Sequence, residues 1–199
     1  MDLFSSHKSV FQLPQAKLIY IPNFYNPQKA NDLFLTLKET CAWQQDSITV
    51  FGKTHPQPRL TALYANNSKS YSYSNITMQP NRFTPELLNI KADIENETNT
   101  NFTTVLLNRY RNGSDSNGWH ADNEKELGKN PIIASLSLGE SRPFHFKHRT
   151  IKEEKHKLLL ESGSLLIMSG EMQQYWLHQI PKTKKDIGER INLTFRKIV

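Results

Sequence analysis

Apolar residues recur at helical spacing in two stretches, both in the first half of the chain. In NPQKANDLFLTLKETCAW, Asn26 stands where a helix cap belongs and Pro27 suits the first turn. Ala30, Leu33, Phe34, Leu37 and Cys41 then form one stripe. In TPELLNIKADIENET, Thr84 is the cap, Pro85 and Glu86 fill the first turn, and Leu87, Ile90 and Ile94 turn inward. From residue 102 the pattern changes to short runs: FTTVLLNRY, IIASLSL, RPFHFKH, HKLLLES, SLLIMSG, YWLHQI and RINLTFRKI read as strands. Asn112-Gly113, Asn117-Gly118, Ser162-Gly163 and Ser169-Gly170 punctuate them as turns. So many short strands predict a mainly β, α+β chain, with a closed or double-sheet core and the two helices packed outside.

Composition narrows the class without deciding it. At 199 residues and 37% hydrophobic the chain suits one domain, and no repeat or linker divides it. The 25 basic against 19 acidic side chains leave a net charge of +6, which favours a polyanionic partner. One cysteine, Cys41, excludes an internal disulfide framework and thiolate-rich zinc sites, and fits a reducing compartment. The N-terminus, MDLFSSHKSVFQLPQAKLIY, has neither the basic start nor the long apolar run of a signal peptide or a membrane span. A soluble, cytoplasmic protein without membrane contact is the expectation, or a nuclear one in a eukaryote.

Candidate chemistry begins in GWHADNE, where His120 and Asp122 stand two apart. On an extended segment such residues point to one side and can approach one ion together. His178 in YWLHQI is the best third ligand, because strand pairing brings distant segments together. Two histidines and a carboxylate form the facial triad that holds non-haem Fe(II) with positions left open. In RINLTFRKI, Ile191, Leu193 and Phe195 occupy one strand face, and Arg190, Asn192, Thr194 and Arg196 the other. Two inward guanidinium groups need an anion, since unpaired buried charge costs several kcal/mol. A small dicarboxylate matches both forks. In LLNRYRNG, Asn108 and Tyr110 share a face and offer an amide and a phenol to the same carboxylates.

Together, NRY, WHADNE, WLHQIP and RINLTFR resemble the AlkB family of Fe(II)- and 2-oxoglutarate-dependent dioxygenases, especially its DNA-repair members, and the likeness runs from VFGKTHPQPRLTALY to the C-terminus. The resemblance implies a double-stranded β-helix (jelly-roll) core over residues 101–199, preceded in 1–100 by helices and a nucleotide-recognition lid. It implies His120, Asp122 and His178 as iron ligands. It also places Arg190, with Tyr110 and Asn192, on the distal carboxylate of 2-oxoglutarate, and Asn108 and Arg196 near the carboxylate beside the metal, with Thr194 in the same co-substrate set. Fe(II), 2-oxoglutarate and O2 are the implied cofactors.

The implied reaction is oxidative demethylation of alkylated bases, 1-methyladenine and 3-methylcytosine in DNA, releasing formaldehyde and succinate. Tyr71 and Tyr73 in YSYS resemble the family's aromatic substrate strand, and Arg59 in PRLTALY joins the substrate set. Glu124 follows the iron-binding acid where members contact the damaged base, while Asn123 replaces the acid often found there. Phe51, Gly52 and Lys53 in VFGK resemble a finger that fills the hole left by a flipped base, which points to duplex as well as single-stranded DNA. Basic residues in FKHR and PKTKK could bind phosphates, although a solvated charged loop is the commoner role for any one of them. The expected protein is a monomer. Two other readings stand beside this one: an RNA or protein demethylase or hydroxylase of the same chemistry, and a non-catalytic nucleic-acid-binding module.

Overall fold

The structure is a computed structural model that describes residues 8–50, 52–66, 71–73 and 76–198, without the side chains of 48–50, 71–73 and 76–77. The chain opens with β1 (Ser9–Leu13) and β2 (Ala16–Ile21), followed by α1 (Pro27–Thr40). Six short strands come next: β3 (Ser47–Val50), β4 (Lys53–Pro56), β5 (Leu60–Ala65), β6 (Tyr71–Tyr73), β7 (Ile76–Met78) and β8 (Asn81–Arg82). After α2 (Pro85–Thr98) come β9 (Thr104–Tyr110), β10 (Asn117–His120), a 3-10 turn at Lys125–Leu127, and β11 (Ile133–Gly139). The hairpin of β12 (Arg142–His148) and β13 (Lys155–Leu160) leads to β14 (Leu165–Gly170). A single helical turn, α3 (Met172–Tyr175), precedes β15 (Trp176–Ile180), and β16 (Arg190–Arg196) is the last strand.

Eight strands form the larger sheet in the order β1-β2-β14-β11-β16-β9-β5-β8, and four form the smaller in the order β10-β15-β12-β13. All of these pairings are antiparallel except β5 with β8. The two sheets face each other as a jelly-roll. Leu18, Tyr110, Leu166 and Met168 of the larger meet Phe144, Phe146, Trp176 and Ile180 of the smaller in one apolar cluster. The larger sheet therefore takes strands from both sides of the expected 100/101 division.

Both helices lie where the pattern places them, against the outer face of the larger sheet. Asn26 accepts a hydrogen bond from the Lys29 N–H at 2.9 Å, and Thr84 accepts one from the Leu87 N–H at 3.3 Å. Ala30, Leu37, Leu87, Ile90 and Ile94 bury against Leu107, Leu136, Ile191, Leu193 and Phe195. That contact fixes the orientation of β16. With Ile191, Leu193 and Phe195 committed to the helices, the period of two sends Arg190, Asn192, Thr194 and Arg196 into the space between the sheets.

Two turn assignments need correction. Ser169-Gly170 is the end of β14, pairing with Lys17 and Ala16 of β2. Asn117-Gly118 is not a turn but the start of β10, pairing through Asn117 with Ile180. The tertiary partner strand decides here, over the local preference of an Asn-Gly pair for turns. Ser162-Gly163 is a turn, with Gly163 at φ 79° and a Cβ there would come within 2.3 Å of the Tyr25 carbonyl oxygen. Only glycine fits that position.

Candidate metal centre and anion pocket

β10 and β15 are neighbours in the smaller sheet, and their register sets His120 directly opposite His178. The two imidazole centroids lie 4.3 Å apart. Asp122 follows His120 by two residues, just beyond β10, with its backbone N–H bonded at 3.0 Å to the side-chain oxygen of Gln173 on α3. One ligand atom each from His120, Asp122 and His178 falls within 4.8 Å of the others, the one such group of metal-binding residue types found among the described residues. The three residues thus stand at one point although 58 positions separate the first from the last.

The electrostatics of the cluster suit a cation. Burial pushes the His178 imidazole down to about 3, helped by the neighbouring His120. Burial also lowers His120 from its ordinary value. Both rings therefore offer neutral lone pairs at neutral pH. Burial alone would raise the Asp122 carboxyl, but the Arg196 guanidinium and the two imidazoles outweigh it and hold it below the usual carboxylate range. Arg196 Nη2 lies 3.0 Å from Asp122 Oδ1 in a buried ion pair. His178 Nδ1 is buried with no hydrogen-bond partner. A polar atom abandoned in this way is unfavourable unless something else binds in the cluster.

The anion pocket is built by register across three strands. Arg190 pairs with Tyr110 on β9 and with Gly139 on β11, and Asn192 pairs with Asn108 and Ser137. Asn108, Tyr110, Arg190, Asn192, Thr194 and Arg196 all line the cavity that also holds His120, Asp122 and His178. Thr194 Oγ1 donates to Asn192 Oδ1 at 3.1 Å, and the Asn192 amide donates to Ser135 Oγ at 2.8 Å and the Leu136 carbonyl at 3.0 Å. These two residues are satisfied within the sheet; Arg190 is not. Its Nη2 donates to Ser137 Oγ at 2.9 Å, while Nε and Nη1 have no hydrogen-bond partner. The guanidinium carbon lies 5.3 Å from the Tyr110 ring centroid, and burial pushes Arg190 down to about 10. A wholly buried guanidinium with two open donor atoms suits a carboxylate.

The residues expected to touch a base are placed less completely. Phe51 lies outside the described residues, as do the side chains of Tyr71 and Tyr73 on β6. Gly52 takes φ 75° beside the β3–β4 hairpin, and Lys53 is exposed on β4. Glu124 is half-buried and Asn123 exposed just past Asp122. Arg59 is buried, donating from Nε to Asn108 Oδ1 at 2.7 Å, so it sits against a pocket residue. Gln173, Ser137 and Asn117 belong to this centre and were missed from sequence. No periodicity or motif marks them: the fold brings Asn117 to the cavity and sets Gln173 and Ser137 behind Asp122 and Arg190.

Three candidate ligands around one point beside a buried cationic strand suit a metal-dependent oxygenase centre of the jelly-roll kind. The chain belongs to the 2OG-Fe(II) oxygenase superfamily, whose family model matches residues 17–196. Within it the chain is of the AlkB type. It is 40% identical over 192 residues to the bovine alpha-ketoglutarate-dependent dioxygenase alkB homolog 3 and 38% identical to the human one, in each case over 92% of this chain and 66% of the relative. It is 34% identical to the human DNA oxidative demethylase ALKBH2, over 88% of this chain and 71% of that protein. The chain thus spans just under two thirds of the first two relatives. Among solved structures, OsALKBH1 superposes with a TM-score of 0.67 at 19% identity, covering 95% of this chain and all of that one, which supports the fold. Fe(II), 2-oxoglutarate and O2 are the cofactors of this superfamily, and the donor set, the orphaned His178 nitrogen and the unfilled Arg190 fork fit the first two.

Proposed function

We propose that the chain removes alkyl groups from nucleic-acid bases by 2-oxoglutarate-dependent oxidation. The observation that carries this reading is the cluster of half-buried His120 with buried Asp122 and His178, sharing one cavity with a guanidinium that has two open donors. His120, Asp122 and His178 would hold Fe(II). Arg190 would take the distal carboxylate of 2-oxoglutarate in its open fork, with Tyr110 alongside and Ser137 holding the guanidinium in place. Arg196 would neutralise Asp122 and the carboxylate nearest the metal, and Asn108, braced by Arg59, faces the same region. With these bound, the cofactors supply an oxidant that hydroxylates an N-methyl carbon: one oxygen atom of O2 goes to that carbon and the other to succinate, with CO2 released. The hydroxymethyl amine then loses formaldehyde and restores the base.

Phe144, Leu160, Met168 and Ile180 form an apolar wall in the same cavity. The similarity to proteins named as a dioxygenase and a DNA oxidative demethylase supports DNA as substrate. The lesions of this proposal are 1-methyladenine and 3-methylcytosine. Their blocked pairing edges lower the cost of extruding the base. Tyr73 would stack on that base, Glu124 would contact it, and Phe51, turned by Gly52 beside Lys53, would fill the gap in a duplex. Among the described residues, no helix is long and apolar enough to cross a membrane.

The test is formaldehyde release from matched methylated single-stranded DNA, duplex DNA and RNA, with Fe(II) and 2-oxoglutarate added. Stoichiometric formaldehyde and succinate from methylated DNA is expected. Phe51→Ala is expected to slow duplex turnover far more than single-strand turnover; equal losses would remove the wedge. Turnover confined to RNA would replace DNA as substrate while leaving the chemistry intact.

A further inference from the structure

Asn117 is neither a ligand nor part of the cationic strand, yet it lines the cavity they share. It opens β10, three residues before His120, on a strand whose partner there is the apolar Ile180. Asparagine is disfavoured in strands, so a polar amide facing a cavity with Phe144 and Ile180 in its wall calls for a reason. The reason lies at His120. The Asn117 amide nitrogen is 3.1 Å from His120 Nε2, and on the far side of the ring Nδ1 is 2.7 Å from the Gly118 carbonyl oxygen. A carbonyl only accepts, so Nδ1 carries the proton and Nε2 of the neutral ring presents its lone pair. The Asn117 N–H donates to that lone pair.

A single lone pair cannot accept from an amide and bind a metal at once. We propose that Asn117 is a positioning residue that holds His120 Nε2 until a metal takes it, and then turns its amide N–H onto a carboxylate oxygen of the 2-oxoglutarate or succinate beside the metal. This rests on the site reading given above. An amide N–H displaced from its acceptor in this half-buried cavity is best placed facing another, and the acceptors that arrive with the metal are the oxygens of its other ligands. The consequence has two signs. Without the amide, the metal has no competitor for His120, while the co-substrate loses a donor.

The experiment compares the wild-type chain with Asn117→Val and Asn117→Ser without O2. Mn(II) affinity is read by electron paramagnetic resonance, and 2-oxoglutarate affinity by calorimetry on the Mn(II)-loaded protein. Asn117→Val is expected to bind Mn(II) as tightly as wild type or a few-fold tighter, and 2-oxoglutarate roughly tenfold more weakly. Asn117→Ser, whose hydroxyl can still donate, is expected to fall between. Parallel weakening of Mn(II) and 2-oxoglutarate in Asn117→Val would mean that Asn117 only shapes the strand, and no change in either would mean that it touches neither; both overturn the proposal. A wild-type chain that binds neither probe would overturn the site reading as well, which separates the two failures.

Discussion

Replacing Arg190 by Met makes two opposite demands of one side chain. In the ligand-free protein Arg190 is buried, with one hydrogen bond to Ser137 Oγ at 2.9 Å and with Nε and Nη1 unsatisfied. Replacing a buried ion pair by apolar side chains of similar volume is often neutral or stabilising, by about 1–4 kcal/mol in other proteins, and among the described residues Arg190 has no carboxylate partner whose loss would offset that gain. The same change deletes the fork assigned to the distal carboxylate. Two charge-assisted hydrogen bonds at about 1.5–3 kcal/mol each amount to roughly 3–6 kcal/mol, or about 140- to 20,000-fold in affinity. Urea unfolding of the metal-free protein is expected to show Arg190→Met at least as stable as wild type. Calorimetry on the Mn(II)-loaded protein is expected to show 2-oxoglutarate binding weakened by at least about 100-fold, with Mn(II) affinity almost unchanged. A variant that loses several kcal/mol of stability would show that Arg190 serves the fold. One that binds 2-oxoglutarate normally would show that the carboxylate lies elsewhere.

His178 predicts a pH dependence for the metal-free protein. Its imidazole titrates near 6.5 when unfolded and at about 3 when folded, so between those values the unfolded chain holds a proton that the native state does not. Stability therefore falls as pH drops through that window, and from pH 7 to pH 5 wild type is expected to lose roughly 2 kcal/mol more than His178→Gln in urea unfolding. Equal losses would contradict this assignment of the buried neutral ring. Gln173→Leu removes the acceptor of the Asp122 N–H, and leaving that buried group unpaired is expected to cost about 1–3 kcal/mol and to weaken Mn(II) binding several-fold. Unchanged Mn(II) affinity would show that Gln173 serves α3 alone.

Much of the catalytic core was legible because its strands obey the period of two under opposing constraints. β16 is the clearest instance: Ile191, Leu193 and Phe195 must face the helices, so the alternation alone sends Arg190 and Arg196 inward. The helices were equally readable, since each buries only a stripe and carries a cap and a proline at its start. Other elements give no such signal. β1 is an edge strand whose residues are nearly all exposed, so no apolar alternation distinguishes it from a loop. β10 contains Asn117 and Gly118, both turn formers, and is a strand because β15 lies beside it. That misreading also hid Asn117 from the site. Gln173 was hidden for another reason, since it reaches the centre from a single helical turn whose place depends on tertiary packing.

The central claim is that His120, Asp122 and His178 hold one ferrous ion whose open positions take the keto acid clamped by Arg190. An anaerobic titration of the purified chain with Fe(II) and then 2-oxoglutarate, followed by visible absorption, tests it most directly. One Fe(II) per chain is expected, with a charge-transfer band that grows on adding 2-oxoglutarate and is lost in Asp122→Ala. Full Fe(II) binding and an undiminished band in Asp122→Ala would place the metal somewhere other than this cluster.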